Sequence, residues 1–220
     1  FPTVAPMRSA CVHPVFLRKL VAHLVAEGHD ADSLIAPAGF TWEALLARES
    51  MVSFDQARLI VLSCIQAAGS PTLGLHTGRA VQLTDLGVLG LLLSCSANLR
   101  EALSALNRFS PLRSRLWHDL LLYDERGAWV VVEPAFPLGD IKAVIFDHFV
   151  AVLSRIFTTI SNGPLDTVRL EVPWAPPSWS DAYRALAGTV VFNADRMAFW
   201  IPNVTLDRSN PNASRLDYLE

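Results

Sequence analysis

The chain has 220 residues, of which 51% are hydrophobic and 18% are charged, and its formal net charge is −3. This hydrophobic share supports a folded core and excludes an intrinsically disordered chain. The slightly acidic balance, without a basic stripe, argues against a surface that grips nucleic acid by itself.

Cysteine usage and hydropathy indicate the cellular compartment of the protein. Cys11, Cys64 and Cys95 lie far apart and no Cys-x-x-Cys pair is present, which favours reduced thiols and a cytoplasmic protein. The first residues lack the charged start and apolar run of a signal peptide. No stretch reaches the ~18 uninterrupted apolar residues of a membrane helix, so we expect no membrane partner.

The first half of the chain predicts helices. Residues 1–12 are expected to be an irregular lead-in and residues 13–110 a helical lobe. Pro14 suits the first turn of the first helix, and a Ser-x-x-Gln capping box at Ser53 opens another helix.

Residues 81–109 predict two helices joined at a tight break. Gly87 and Gly90 fall three apart on one face of the first helix. Glycine inside a helix costs roughly 1 kcal/mol relative to alanine, so a closely packed neighbour is expected there. Asn98 caps the second helix, and Glu101 can reach back to complete a capping box.

This region, LGVLGLLLSCSANLREALSALNRF, resembles the central signature of the effector-binding domain at the N-terminus of AraC-type bacterial transcription regulators, in the arabinose-binding-like branch. The segment SPTLGLHTGRAV resembles the family's DP-x-LGL-x-x-G segment, with Ser70 where an acidic residue is usual. Leu206, Asp207 and Arg208 match the family's L-D-R-P linker start, and Ser209 departs from it.

The resemblance covers residues 14–210 and implies the sensory half of a transcription regulator. It implies a small-molecule effector, a homodimer, and DNA contacts made only through a C-terminal helix-turn-helix domain that this chain lacks. Residues 13–206 are then the effector-binding domain, and residues 207–220 are the start of the linker.

Residues 111–206 predict a second lobe, because the hydrophobic period changes from that of a helix to that of a strand. Two strands at 112–123 and 128–134 form a hairpin around a four-residue turn. A long helix to Ile160, a third strand, a short helix and a second hairpin at 189–201 follow. The predicted class is α+β, with a helical N-terminal lobe followed by a mainly antiparallel sheet, two β-hairpins plus a strand, packed on the long helix.

The first hairpin contains the pair of residues that is best suited to bind a ligand or transfer a proton. If the turn sets the register, His118 faces Glu133 among apolar side chains. Such a pair could orient a ligand, bind an amine or act as a base. An ordinary cross-strand ion pair is the other interpretation. Both faces of the hairpin carry apolar residues, so we expect both to be partly covered.

Further candidate ligand contacts are aromatic or lie on the long helix. His148, on an apolar helix face, is a satisfied core residue, a ligand contact or, in a different kind of sensor, a haem ligand. Trp117, Trp174, Tyr183 and Trp200 suit the lining of an apolar pocket, or plain core packing.

Recognisable catalytic motifs are missing from the sequence. It contains no G-x-S-x-G, H-E-x-x-H or P-loop, and its histidines lack metal-ligand spacing. We therefore predict a ligand-sensing domain without cofactor or metal, and not an enzyme. A free-standing small-molecule or haem-type sensor is the alternative, and an enzyme on a similar scaffold is the third. The seam between helical lobe and sheet is the expected place for pocket and switch.

Overall fold

The computed structural model describes residues 10–214. The α-helices are α1 (Pro14–Ala26), α2 (Ala31–Ile35), α3 (Trp42–Ala47), α4 (Phe54–Ala68), α5 (Leu73–Arg79), α6 (Val88–Cys95), α7 (Leu99–Phe109), α8 (Lys142–Ile160) and α9 (Asn203–Leu206). The strands are β1 (Ala10–Val12), β2 (Val52–Ser53), β3 (Trp117–Tyr123), β4 (Gly127–Pro134), β5 (Arg169–Glu171), β6 (Thr189–Val191) and β7 (Met197–Pro202). Short 3-10 turns lie at Ala36–Ala38, Leu83–Leu86, Ser110–Leu112, Gly139–Ile141 and Ser180–Ala185.

Helix α8 is the centre of the molecule. One side packs on the sheet, where the rings of Phe157 and Phe199 lie 5.1 Å apart between centroids. Another side packs closely on α5, as the two glycines of α5 described below show. The result is a sheet, a central helix and a helical lobe, which confirms the predicted α+β class.

The main sheet has five strands in the order β3-β4-β7-β5-β6. The pairings β3-β4, β4-β7 and β7-β5 are antiparallel, whereas β5 and β6 are parallel. The first hairpin has the predicted register, with His118 opposite Glu133.

The second predicted hairpin is wrong. Residues 189–201 contain two strands and a turn with Asn193 at a φ of +55°, but β6 and β7 are not neighbours in the sheet. Both edges of β7 are already paired, one with β4 and the other with β5, so β6 adds to the far side of β5. Local turn chemistry indicated a hairpin, and long-range pairing determined the order.

The expected irregular lead-in also needs a correction at its end. Residues 10–12 form β1, which pairs with β2, and Val12 bridges to Ser114. The backbone N–H of His13 also donates to the carbonyl of Arg113 at 2.9 Å. These bonds join the start of the helical lobe to the segment that enters the sheet. Residues 1–9 lie outside the described residues.

The predicted caps form. Ser53 Oγ accepts the N–H of Gln56 at the start of α4, and Asn98 Oδ1 accepts the N–H of Glu101 at the start of α7. The first helix of the predicted pair begins later than expected, since Gly87 has a φ of +58° and precedes α6. The expected close neighbour exists at Gly90, where an added Cβ would overlap the carbonyl of Leu83.

The helix that runs from Gly139 to Ile160 is long and apolar enough, by length and composition, to cross a bilayer. However, 61% of its most apolar window is buried inside the protein, as in the core helix of a folded domain. Helices α4 and α5 pass the same test only as a pair bent by 109°.

The resemblance implies that a linker starts at residue 207, and in the structure residues 207–214 are attached to the helical lobe. Asp207 pairs with Arg100, with 2.7 Å between Oδ1 and Nε. The buried Asn210 amide donates to the carbonyls of Ser94 and Ser96 at 2.8 and 2.9 Å. The segment therefore closes the junction between α6 and α7, and residues 215–220 lie outside the described part.

Candidate functional site

A partly enclosed cavity lies at the seam between the helical lobe and the sheet. It is bordered by α1, α4, α5, α8, β1 and the start of β3. Its walls are apolar except at Thr77, Ser114 and His148. The apolar lining comprises Val12, Phe16, Leu17, Leu20, Phe54, Ala57, Val61, Leu116, Trp117, Ile141, Val144, Ile145, Phe149 and Val152. The volume open to the centres of water-sized molecules is about 80 Å³.

Two glycines bring α5 close enough to α8 to form one wall. Gly74 and Gly78 lie one helical turn apart, and an added Cβ would overlap the carbonyl oxygens of Val144 and His148, respectively. The backbones of the two helices therefore approach without intervening side chains. This close approach places Thr77, between the two glycines, beside the imidazole of His148.

The hydroxyl of Thr77 fixes the ring of His148. Thr77 Oγ1 lies 3.0 Å from His148 Nδ1, 2.9 Å from the carbonyl of Leu73 and 3.2 Å from that of Gly74. Loss of solvent lowers the pKa of His148 to about 4, so the ring is neutral at pH 7. Its other nitrogen, Nε2, is buried and has no hydrogen-bond partner among the described residues.

A row of aromatic rings continues from the cavity along α8. Trp117 stacks on Phe149 with 4.7 Å between centroids and meets Phe146 edge-on at 5.0 Å. Trp174 lies 5.3 Å from Phe146 and 6.4 Å from Tyr183. The row therefore connects the cavity to the loop after β5.

The row ends at a buried polar pair. The hydroxyl of Tyr183 donates to a carboxylate oxygen of Asp147, and both side chains are almost completely buried. Burial raises the pKa of Asp147 to about 6, although the hydrogen bond from Tyr183 acts in the opposite direction. The same burial, together with the nearby carboxylate, raises the pKa of Tyr183.

The structure separates the predicted site residues into two groups. Trp117 and His148 line the cavity. Trp174 and Tyr183 lie beside it in the aromatic row, without lining it. The ligand-binding role of these residues stays a prediction.

The other predicted residues lie on the opposite, outer face of the sheet. His118 and Glu133 are both exposed, and no hydrogen bond or ion pair joins their side chains in residues 10–214. Trp200 is half-buried on the same face beside Trp129, over which the guanidinium of Arg196 lies at 4.6 Å. These residues are therefore not part of the cavity.

Sequence reasoning missed Phe16, Ala57 and Thr77, which line the cavity from three separate helices. The spacing of Gly74 and Gly78 was the available signal for Thr77, because two glycines one turn apart allow another helix to approach closely. No local pattern marks Phe16 or Ala57 as different from other core residues.

The geometry favours a small ligand over a haem at His148. One ring nitrogen is bonded to Thr77, the other is covered, and the cavity is far smaller than a porphyrin. In the part of the chain that the structure describes, no group of three His, Cys, Asp or Glu side chains is placed to hold a metal ion.

A second, smaller cavity of about 40 Å³ adjoins the first. The two share Phe16, Trp117, Phe149 and Val152 as a common wall, together with Ser114. The second cavity is also lined by Leu86, Leu89 and Leu106. It therefore connects the seam to the α6–α7 helical pair.

Comparison with known proteins gives this fold a family. The family model for the N-terminal, arabinose-binding domain of AraC transcription regulators matches residues 28–210 of this chain. The chain belongs to this family.

The Ornithine utilization regulator of Pseudomonas aeruginosa is similar to this chain, with 29% identity over 177 residues. The match covers 80% of this chain and 52% of that protein, so the chain spans about half the length of this curated relative. The crystal structure of transcriptional regulator CdpR from Pseudomonas aeruginosa has the same fold, with a TM-score of 0.68 at 19% identity. That match covers 91% of this chain and 59% of CdpR. The family and these relatives are transcription regulators rather than enzymes, as the sequence predicted.

Proposed function

We propose that this chain is the effector-binding domain of a cytoplasmic AraC-type regulator, and that its effector is a small molecule held in the seam cavity. The observation that carries this proposal is the cavity itself. It lies between the two lobes, it is apolar, and it contains one buried nitrogen without a partner. Ligand pockets commonly combine apolar walls with few placed polar groups.

A ligand in the cavity can affect the end of the domain through contacts between side chains. The wall formed by Phe16, Trp117, Phe149 and Val152 borders both cavities, so a ligand that moves one of these side chains changes the second cavity as well. The second cavity is also bordered by α6 and α7, through Leu89 and Leu106. A ligand with different affinities for two arrangements of this wall would shift the population between them.

The segment after α9 is well placed to receive such a change. Asp207 and Asn210 attach it to α7 and to the α6–α7 junction. In this proposal, the segment leads to a C-terminal helix-turn-helix domain that makes the DNA contacts. The proposal includes a homodimer whose geometry responds to the effector, and coupling of this kind requires two states that the ligand distinguishes.

Retention of small molecules from a bacterial extract tests the location of the effector site. The 220-residue chain is incubated with the extract, separated by gel filtration, denatured and analysed by mass spectrometry. We expect a compound that is retained by the wild type and lost in Ala57→Phe, which fills the cavity from α4. Trp200→Phe, on the outer face of the sheet, is the matched control and should retain the compound.

Folding of the filled variant is checked by circular dichroism and thermal unfolding, because overpacking can cost 1–3 kcal/mol, to order of magnitude. Ala57→Leu is the milder substitution if the first variant fails to fold. An identical set of retained compounds in the wild type and a folded, filled variant would contradict the proposed site.

A further inference from the structure

The lining of the seam cavity contains no charged side chain. A ligand that carried an ammonium or carboxylate into it would bury that charge without a partner, which is strongly unfavourable. A sugar would bring several hydroxyl groups, and each would need a hydrogen bond that these walls do not offer. The cavity therefore suits an uncharged, mostly apolar molecule.

The polar groups of the wall limit what the ligand can bond. Ser114 Oγ already accepts the N–H of Leu116 at 3.3 Å, and Thr77 is bonded within α5 and to His148. Among the described residues that line the cavity, His148 Nε2 is the fully buried side-chain nitrogen or oxygen that has no partner. The Ser114 hydroxyl keeps its hydrogen as a donor, but among the described residues His148 Nε2 is the fully buried atom of this wall that needs a partner from the ligand.

The hydroxyl of Thr77 determines whether that atom donates or accepts. A hydroxyl has one hydrogen, and Thr77 Oγ1 faces the carbonyl oxygens of Leu73 and Gly74, which can only accept. If the hydrogen points to a carbonyl, then His148 Nδ1 carries the ring hydrogen and donates to Thr77. His148 Nε2 is then a bare acceptor, and its partner must be a donor.

The volume of the cavity limits the size of the ligand. About 80 Å³ is open to the centres of water-sized molecules. An apolar cavity of about 150 Å³ accommodates benzene, so a body of about one aromatic ring fits here only when a side chain of the lining moves aside.

We propose, on the basis of the proposed function, that the effector is a compact uncharged molecule with an apolar body of about one aromatic ring and one hydroxyl or N–H group that donates to His148 Nε2. The nitrogen is covered at present, so the ligand must move a neighbouring side chain to reach it. Phe16 packs edge-on against the imidazole with 5.9 Å between centroids, and it also borders the second cavity. Binding at His148 would thus act on the shared wall.

Phenol and toluene test this ligand class, because they have nearly the same shape and differ in one hydroxyl. Their dissociation constants are measured by NMR titration of the ¹⁵N-labelled 220-residue chain. His148→Phe keeps an aromatic ring and removes both nitrogens. We expect it to weaken phenol binding by roughly two- to twelvefold, the equivalent of one neutral hydrogen bond, and to leave toluene binding unchanged.

Three further measurements complete the test. His118→Phe is the matched control, since this exposed histidine lies on the outer face of the sheet, and it should change neither constant. Ala57→Phe should remove the binding of both probes. L-Ornithine and L-arabinose, as polar probes, should not bind in the cavity. His148→Leu replaces His148→Phe if the latter does not fold.

The outcomes separate the ligand class from the proposed function. Equal losses of phenol and toluene in His148→Phe, or unchanged phenol binding, would overturn the role of His148. Binding of a polar probe that is abolished by Ala57→Phe would overturn the apolar class while leaving the cavity as the effector site. If no probe and no compound from the extract is sensitive to Ala57→Phe, both proposals fail.

Discussion

Asp147 is a carboxylic acid buried in the middle of α8, where it accepts a hydrogen bond from Tyr183. Burial raises its pKa from the ordinary value of 3.8 to about 6. Between these two values the folded protein binds the proton more tightly than the unfolded chain does. The free energy of unfolding therefore decreases as the pH rises through this window.

Asp147→Asn should remove this pH dependence, because the amide cannot ionise and its oxygen can still accept from Tyr183. We expect the stability of the variant relative to the wild type to increase from pH 4 to pH 7 by on the order of 2 to 3 kcal/mol, from a shift of about two pKa units. Urea unfolding at several pH values measures this difference. Asp195→Asn, at an exposed turn, should show no such increase, and a flat difference for Asp147→Asn would refute the assignment.

The sequence predicted how the candidate residues of the first hairpin pair, but not which of them face the core and which face solvent. It correctly paired His118 with Glu133, because the four-residue turn fixes the register of a hairpin. It did not show which face of the hairpin would meet α8, since both faces carry apolar residues. Trp117, one position away, faces the core and lines the cavity, whereas His118 faces solvent.

At the scale of the elements, the packing of α5 on α8 depends on glycine. A Cβ at position 74 would lie 2.8 Å from the Cβ of Asp147 and would overlap a backbone carbonyl of α8, which has no freedom to move away. The two helices would have to separate. Separation would also withdraw Thr77 from His148 and loosen one wall of the cavity.

Gly74→Ala is therefore expected to destabilise the protein by about 1–3 kcal/mol, the usual cost of overpacking a tight contact. Thermal or urea unfolding measures the loss. Gly69→Ala is the comparison, because Gly69 has a φ of +54° but open space around it. Gly69→Ala should lose only the stability that the strained backbone costs, about 1–2 kcal/mol, and it should leave the NMR signals of His148 unchanged. Unshifted His148 signals in Gly74→Ala would contradict the packing argument.

The segment after α9 provides a second prediction at this scale. Asn210→Ala removes the hydrogen bonds to the carbonyls of Ser94 and Ser96 and the one from the N–H of Asn212, and leaves the two carbonyls without this partner, at a cost of about 1–3 kcal/mol for buried groups. We expect faster proteolysis near residue 210, while the core stays folded. Asn212→Ala changes an exposed side chain of the same type and should be cleaved like the wild type. Equal cleavage of the two variants would show that Asn210 does not hold the segment.

The order of the helices and strands could be predicted only where it depends on residues that are close together in the sequence. Caps such as Ser53 and Asn98 act within one helical turn, and the first hairpin closes over four residues, so both could be predicted. The position of β7 between β4 and β5 depends on strands that are distant in the chain. Asn193 supplied a turn signal, but it does not determine which edge of the sheet is free.

For the whole molecule, the arrangement of two lobes around α8 explains how a small cavity could affect a distant segment. The cavity, the shared aromatic wall, the α6–α7 pair and residues 207–214 are in continuous contact. None of these contacts could be predicted from sequence alone, because the cavity combines side chains from α1, α4, α5, α8 and β3. The resemblance to the family indicated the class of function, and the location of the effector in the seam cavity is our proposal.

Hydrogen–deuterium exchange with and without saturating phenol tests this account most directly. We expect phenol to change the exchange rates of the α6–α7 pair and of residues 207–214 in the wild type, and to leave them unchanged in Ala57→Phe. A phenol effect confined to the lining of the cavity would contradict the account, since it would mean that the ligand is bound without any consequence for the segment that leaves the domain.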